Sequence, residues 1–242
     1  QAGLIARLLP GWERLRSMPQ RDPIHLFTVD RHLMQTAVNA AASVRKVLDD
    51  TVRPHLQEWY DAGEVPVREL APTLGELGLL GITVPEEFGG TGMGYLAHTV
   101  AVEEIARVSP SISLSYGAHS NLCVNQLKLN GTDEQKRRFL PGIVDVTELW
   151  SQGYSEPGAG SDLAGVSTSA RLEDGKWIIN GQKIWTSYAD KADWIFCLVR
   201  TDPEAPKHLG ISFVLFDMKT PGVTTRPITL ISGKSPFCET FF

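Results

Sequence analysis

The 242-residue sequence predicts an α+β fold: an all-helical amino-terminal domain followed by an antiparallel, barrel-like β domain. Apolar residues recur at helical spacing through the first half. After Trp150, short runs of branched and aromatic residues alternate with turn signals. The change of character falls near Leu149, so the chain divides into a peripheral segment (1–30), a helical domain (31–148) and a β-strand middle domain (149–242).

Ala37 to Leu48 is alanine-rich and amphipathic, and Pro54 ends or kinks that run. Val65 to Leu80 reads as a second helix, with Gly81 as its stop. The glycine-dense string TVPEEFGGTGMG (Thr83 to Gly94) is a loop. Helical spacing resumes over His98 to Val108, stops at Ser109-Pro110, and returns over Ile112 to Leu129 until Asn130-Gly131. Thr132 and Gln135 stand at capping-box spacing before another helix. In the second half, Ser167 to Leu172 and Lys176 to Asn180 flank Asp174-Gly175 as a hairpin. Trp194 to Arg200, Ile211 to Asp217 and Val223 to Leu230 are further strands.

A net charge of −5 argues against nucleic acid as a partner, because such binders carry a basic surplus. The run Lys136, Arg137, Arg138 reads as a solvated helix face. Three cysteines, with no pair at CxxC spacing, argue against a disulfide framework or a metal site. No apolar run is long enough for a membrane span. Ala2 to Leu9, with Arg7 inside, reads as a peripheral helix; an Arg-bearing targeting segment is the alternative. The compartment expected is therefore the cytoplasm, with the mitochondrial matrix as the alternative.

The string Ser155-Glu156-Pro157-Gly158-Ala159-Gly160-Ser161-Asp162 carries the chemistry. Pro157 stiffens a turn, Gly158 and Gly160 let the backbone approach a ligand, and successive N–H groups can form an anion-binding nest. Ser155 and Ser161 add hydroxyls. On composition alone, the same string is also a plain surface turn. Glu156 and Asp162 read as structural carboxylates accepting backbone N–H groups. His119 reads as a packed, hydrogen-bonded residue.

YSEPGAGSDLA (Tyr154 to Ala164), with Trp185-Thr186-Ser187 downstream, resembles the flavin-binding signature of the acyl-CoA dehydrogenase family. The likeness extends through GQKIWTSYADKADW (Gly181 to Trp194), RTDP (Arg200 to Pro203), TVPEEFGGTG and SYGAHSNLC (Ser115 to Cys123), and covers roughly Leu48 to Phe242. It implies FAD as cofactor and α,β-desaturation of an acyl-CoA thioester. In that likeness, the stretch Gln152, Gly153, Tyr154, Ser155 through Gly160 and Ser161 lines the flavin. Ser155 bonds the isoalloxazine ring, and Ser161 sits near the pyrophosphate and the thioester arm of the substrate. Trp185 packs on the flavin, Thr186 adjoins it, and Ser187 lies near its N5 edge. The likeness further implies an electron-transferring flavoprotein as acceptor and a homo- or hetero-tetramer.

The resemblance also implies a catalytic glutamate from a carboxy-terminal helical domain. That base is expected beyond Phe242, so no catalytic residue is assigned within 1–242 and the isolated chain is expected to be inactive. An acyl-CoA oxidase-like flavoenzyme, or a non-catalytic module that binds flavin or acyl-CoA, is the alternative function.

Overall fold

A computed structural model describes residues 29–242. The reading of Ala2 to Leu9 lies outside the described residues, as does all but the end of the 1–30 segment. The described chain forms two compact units, one up to Ala118 and one over His119–Phe242.

In the first unit, α1 (Val29–Thr51) buries Val44 and Leu48, and Val52 just beyond it continues the i, i+4 stripe. Pro54 does not merely end this helix; it sits in the 3-10 turn Arg53–His55 that leads into α2 (Leu56–Ala62). The next helix, α3 (Val67–Glu76), stops sooner than Gly81. Gly78 takes the left-handed conformation (φ 71°), and Leu79 N–H turns back to the Leu74 carbonyl at 3.0 Å. The carbonyl of Gly81 instead closes the following loop by accepting from Val84 and Thr91 N–H. α4 (Gly94–Val108) begins inside the predicted loop and buries Ala97, Ala101 and Ile105. Its buried Glu104 accepts from Arg45 of α1 at 2.7 Å. Ser109 caps α5 (Pro110–Gly117), and the Tyr116 hydroxyl donates to the Leu79 carbonyl at 2.8 Å.

The helix expected over Ile112 to Leu129 is interrupted. A π-helical turn, Ala118–Leu122, separates α5 from α6 (Cys123–Asn130), because its wider i→i+5 bonding cannot continue the α-helical register. The capping box forms at α7 (Asp133–Val144): Thr132 Oγ1 accepts from Gln135 N–H and Gln135 Oε1 from Thr132 N–H. Arg138 is exposed, in keeping with the solvated reading of its run, and it also makes contacts of its own. Its guanidinium lies over the rings of Phe139 and Trp194 (5.0 and 5.4 Å) and pairs with Glu148. Phe139, Trp150 and Trp194 form one aromatic cluster that seats α7 on the strands.

The strands are β1 (Trp150–Gly153), β2 (Ser169–Glu173), β3 (Lys176–Asn180), β4 (Gln182–Ser187), β5 (Trp194–Arg200), β6 (Ile211–Asp217), β7 (Thr224–Pro227) and β8 (Phe237–Phe241). They build two sheets, not a closed barrel. One runs β1-β5-β2-β3, with β6 also on β5; the other runs β4-β8-β7. The expectation of a purely antiparallel domain is also corrected, since β5 pairs in parallel with β1 and with β2. The cause is local. Gly181 ends the β2–β3 hairpin and hands the chain to the second sheet, exchanging backbone hydrogen bonds with Phe242. Its φ is 157°, and a Cβ there would lie 2.7 Å from Thr168 Cα. The chain returns to the first sheet only at β5, which lies beside β1 with Trp150 opposite Trp194. The Asp174-Gly175 turn has both φ angles positive (49° and 75°), as its hairpin requires. β7 is shorter than the predicted Val223 to Leu230. The core of the first sheet is Ala170, Ile195, Cys197 and Val199, covered by Ile179, Val214, Phe216 and Phe242.

Gly181→Ala should destabilise the protein by ~2 kcal/mol through overpacking against Thr168, read as a lower urea midpoint. A midpoint within error of wild type would contradict this account of the crossover.

Candidate functional site

β1 delivers the chain into a tight turn in which Glu156 and Ala159 exchange backbone hydrogen bonds at 2.9 and 3.0 Å. Pro157 and Gly158 form its exposed corner, and Gly160, Ser161 and Asp162 continue the exposed rim. Below the rim, the Glu156 side chain is buried against Lys183 of β4, whose own side chain is fully buried; Nζ lies 2.8 Å from Oε1. The carboxylate also accepts from Ser167 N–H and Oγ (both 2.7 Å) and from Thr168 N–H (2.9 Å). Burial works to raise the Glu156 carboxyl; hydrogen bonds from Lys183, Thr168 and Ser167 overcome it and hold it at about 2.

The turn and β4 are laced together. Ile184 N–H donates to the Ser155 carbonyl (2.9 Å), Lys183 Nζ to the Tyr154 carbonyl (3.1 Å), and Ser151 Oγ to the Ser187 carbonyl (2.7 Å). The structure thus brings together the two motifs singled out in the sequence.

β4 carries a bulge. Lys183 stands opposite Thr240 but Thr186 opposite Cys238, so β4 advances three residues against two on β8. Trp185 sits in the bulge with φ 59°, a conformation unfavourable for a bulky aromatic residue. The bulge overrides simple alternation: Lys183 and Thr186 bury their side chains, while Trp185 and Ser187 are exposed. Trp185 is 52 % exposed and touches Phe237 edge-on at 5.9 Å.

The predicted residues have distinct surroundings. Gln152 and Tyr154 are half-buried and hydrogen-bonded to each other. Tyr154 meets Phe196 edge-on at 5.8 Å, and burial raises its phenol. Gly153 faces the core, where a Cβ would lie 2.9 Å from Ile195 Cδ1 and 3.0 Å from Cys197 Sγ. Gly158 and Gly160 are different: neither has a positive φ, and a Cβ on either would meet nothing within 4 Å. The fold itself does not demand glycine there, whereas close approach of a ligand would. Thr186 is buried with its hydroxyl unpartnered. Asp162 is exposed and pairs with Lys207. His119 is held through Nε2 at 2.7 Å from the Ile143 carbonyl, and burial lowers its pKa.

Sequence reasoning missed Lys183, Ser167, Thr168 and Arg200. The Arg200 guanidinium donates to the carbonyls of Ala164 (2.7 Å), Val166 (3.1 Å) and Lys207 (2.7 Å), pinning the segment that follows the turn. An inward-facing lysine within a strand is a signal only when a carboxylate elsewhere is already suspected as its partner.

The description "Acyl-CoA dehydrogenase, N-terminal domain" matches residues 35–147, and "Acyl-CoA dehydrogenase, middle domain" matches 151–242. The chain belongs to the acyl-CoA dehydrogenase family. It is similar to the mitochondrial isovaleryl-CoA dehydrogenase of Arabidopsis thaliana (38 % identity, 95 % of this chain and 55 % of that protein). It is also similar to acyl-CoA dehydrogenase IpdE1 of Mycobacterium tuberculosis (48 % identity, 70 % of this chain and 44 % of that protein). Among solved structures it resembles an acyl-CoA dehydrogenase from Geobacillus kaustophilus (TM-score 0.77, 33 % identity, 85 % of this chain and 55 % of that one). It also resembles a glutaryl-CoA dehydrogenase from Mycobacterium smegmatis in complex with FADH2 (TM-score 0.76, 29 % identity, 90 % and 55 %). The chain spans about half the length of the curated relatives it matches.

Two predictions arise from this geometry. Gly153→Ala should cost ~2 kcal/mol by wedging β1 from β5, while Gly158→Ala and Gly160→Ala should leave the unfolding free energy, read by urea denaturation, within ~0.5 kcal/mol of wild type. The Glu156 carboxyl lies below its ordinary 4.5, so its contribution is complete above that pH and is lost as pH falls towards about 2. Urea unfolding at pH 5 and pH 2 should show a loss of roughly 3 kcal/mol from this group, absent in Glu156→Gln.

Proposed function

We propose that this chain carries the flavin-contacting part of an FAD-dependent acyl-CoA dehydrogenase, which desaturates an acyl-CoA thioester between its α and β carbons. The observation that carries the reading is Trp185: an exposed indole held in a left-handed bulge beside a glycine-rich turn whose glycines serve no need of the fold. Backbone strain of this kind persists where the surroundings over-determine it, and it clusters at ligand sites. The residues fit a flavin: an aromatic wall, a rim of exposed backbone, and small side chains at Gly158, Gly160 and Ser161. Solved relatives described with FADH2 and, from Bacillus anthracis, with FAD support the same cofactor.

In this reading, Gln152 to Ser161 line the cofactor. Ser155 bonds the ring, and Ser161 serves the pyrophosphate and the thioester arm. Trp185 covers the flavin and Ser187 lies at its N5 edge. Thr186 buries its side chain and so contributes through its main chain. The bound flavin would supply the oxidising chemistry. Removal of the α-proton needs a carboxylate whose pKa is raised by a dry site. Glu104 and Glu156 are both displaced the other way, by Arg45 and by Lys183 with its neighbours, and neither suits that task. On this proposal, the flavin-facing residues fall in the 149–242 domain, with 31–148 as the helical domain. Electron transfer to an electron-transferring flavoprotein, tetrameric assembly and a cytoplasmic location complete the proposal. Among the described residues no helix is long and apolar enough to cross a membrane.

Reconstitution with FAD tests the reading. The wild-type chain should retain FAD, and Gly160→Val should weaken it at least ~10-fold without moving the urea midpoint. A wild-type chain that takes up no FAD overturns the cofactor assignment. Acyl-CoA thioesters added anaerobically should shift the flavin band without bleaching it; bleaching would place a base within these residues, with Glu86 and Glu87 the first to replace.

A further inference from the structure

Lys183 is the largest fully buried side chain among the described residues, and its partner Glu156 is nearly as buried. Stability alone does not explain such a pair, because apolar side chains of similar volume generally fill buried space as well or better. What the pair does is geometric. Through Glu156 it gathers Ser167 N–H, Ser167 Oγ and Thr168 N–H; through Lys183 it reaches the Tyr154 carbonyl. Three separate segments, 154–156, 167–168 and β4, therefore meet at one charge pair. The exposed rim Pro157–Asp162 leaves from the first segment, and the Trp185 bulge begins two residues after Lys183. Residues 157–162 have solvent on their outer side, so their conformation depends on how both ends are held. Arg200 and Lys207 hold the far end, and Glu156 and Lys183 the near one.

We propose that Glu156 and Lys183 are a positioning pair that sets the conformation of the 157–162 rim and the Trp185 bulge, so that both present one preformed surface to the cofactor. This inference rests on the flavin reading above. A carboxylate fixed by four donors cannot rotate without breaking several bonds at once, which transmits rigidity to the backbone on either side.

The test is the double variant Glu156→Leu/Lys183→Met, with three readouts: urea midpoint, amide hydrogen exchange of residues 158–162 in the flavin-free protein, and the FAD dissociation constant by fluorescence titration. The expected result is a midpoint near wild type, exchange at least ~10-fold faster in the rim, and FAD bound at least ~10-fold more weakly. A folded double variant with wild-type exchange and wild-type FAD affinity overturns the proposal. Should that variant fail to fold, Ser167→Ala serves instead, because it removes a single donor to Glu156 from an exposed position. It should raise rim exchange and the FAD dissociation constant by roughly threefold, and no change in either overturns the proposal. Failure of the wild-type chain to bind FAD would sink the flavin reading alone. The exchange comparison would still decide whether the pair sets the rim.

Discussion

A lysine side chain with no exposed surface constrains everything around it. Lys183 lies in a β-strand whose neighbouring residues include an exposed tryptophan, so its charge must be met from inside. Glu156 meets it from a turn 27 residues earlier, and the turn is thereby fixed against β4. The remaining lacing is backbone and hydroxyl hydrogen bonding that can form only once these segments are in register. The second sheet thus meets the rest of the domain through a buried charge pair as well as through the apolar core of Ala170, Ile195, Cys197 and Val199, on which Phe242 packs.

The bulge in β4 follows from competing demands. Strict alternation from Lys183 would bury Trp185 and expose Thr186. Inserting one extra residue reverses this, at the cost of a left-handed tryptophan and a threonine hydroxyl buried without a partner. Neither feature favours the isolated fold. Both become intelligible when the exposed indole has something to cover, which is why the bulge weighs more in the functional reading than the glycines alone.

Much of the architecture was legible in the sequence because it rests on local rules. The Asp174-Gly175 hairpin and the Thr132–Gln135 capping box are set by short-range chemistry and form as written. The parallel pairing of β1 with β5 was not legible, since it joins residues more than forty positions apart. The open pair of sheets was missed for a related reason: the handover at Gly181 depends on Thr168 and Phe242, neither of which is near in sequence. At the site, the string from Ser155 to Asp162 and the Trp185–Ser187 motif were readable as motifs. Lys183 was not, because an isolated lysine in a strand carries no mark of burial.

The three glycines around the turn show how a structure separates roles that a motif merges. Gly153 is required by packing, since the β1–β5 pairing leaves no room for a Cβ between Ile195 and Cys197. Gly158 and Gly160 have room and ordinary backbone angles, so intramolecular packing gives no reason for them. In an open rim, a side chain would cost the fold little and would obstruct whatever approaches from outside. The stretch from Gly153 to Gly160 thus holds one glycine that the packing requires and two that it does not. A substitution at Gly153 acts through the sheet first, whereas at Gly158 or Gly160 the fold has room for a side chain, and the flavin reading expects the effect there to fall on the ligand.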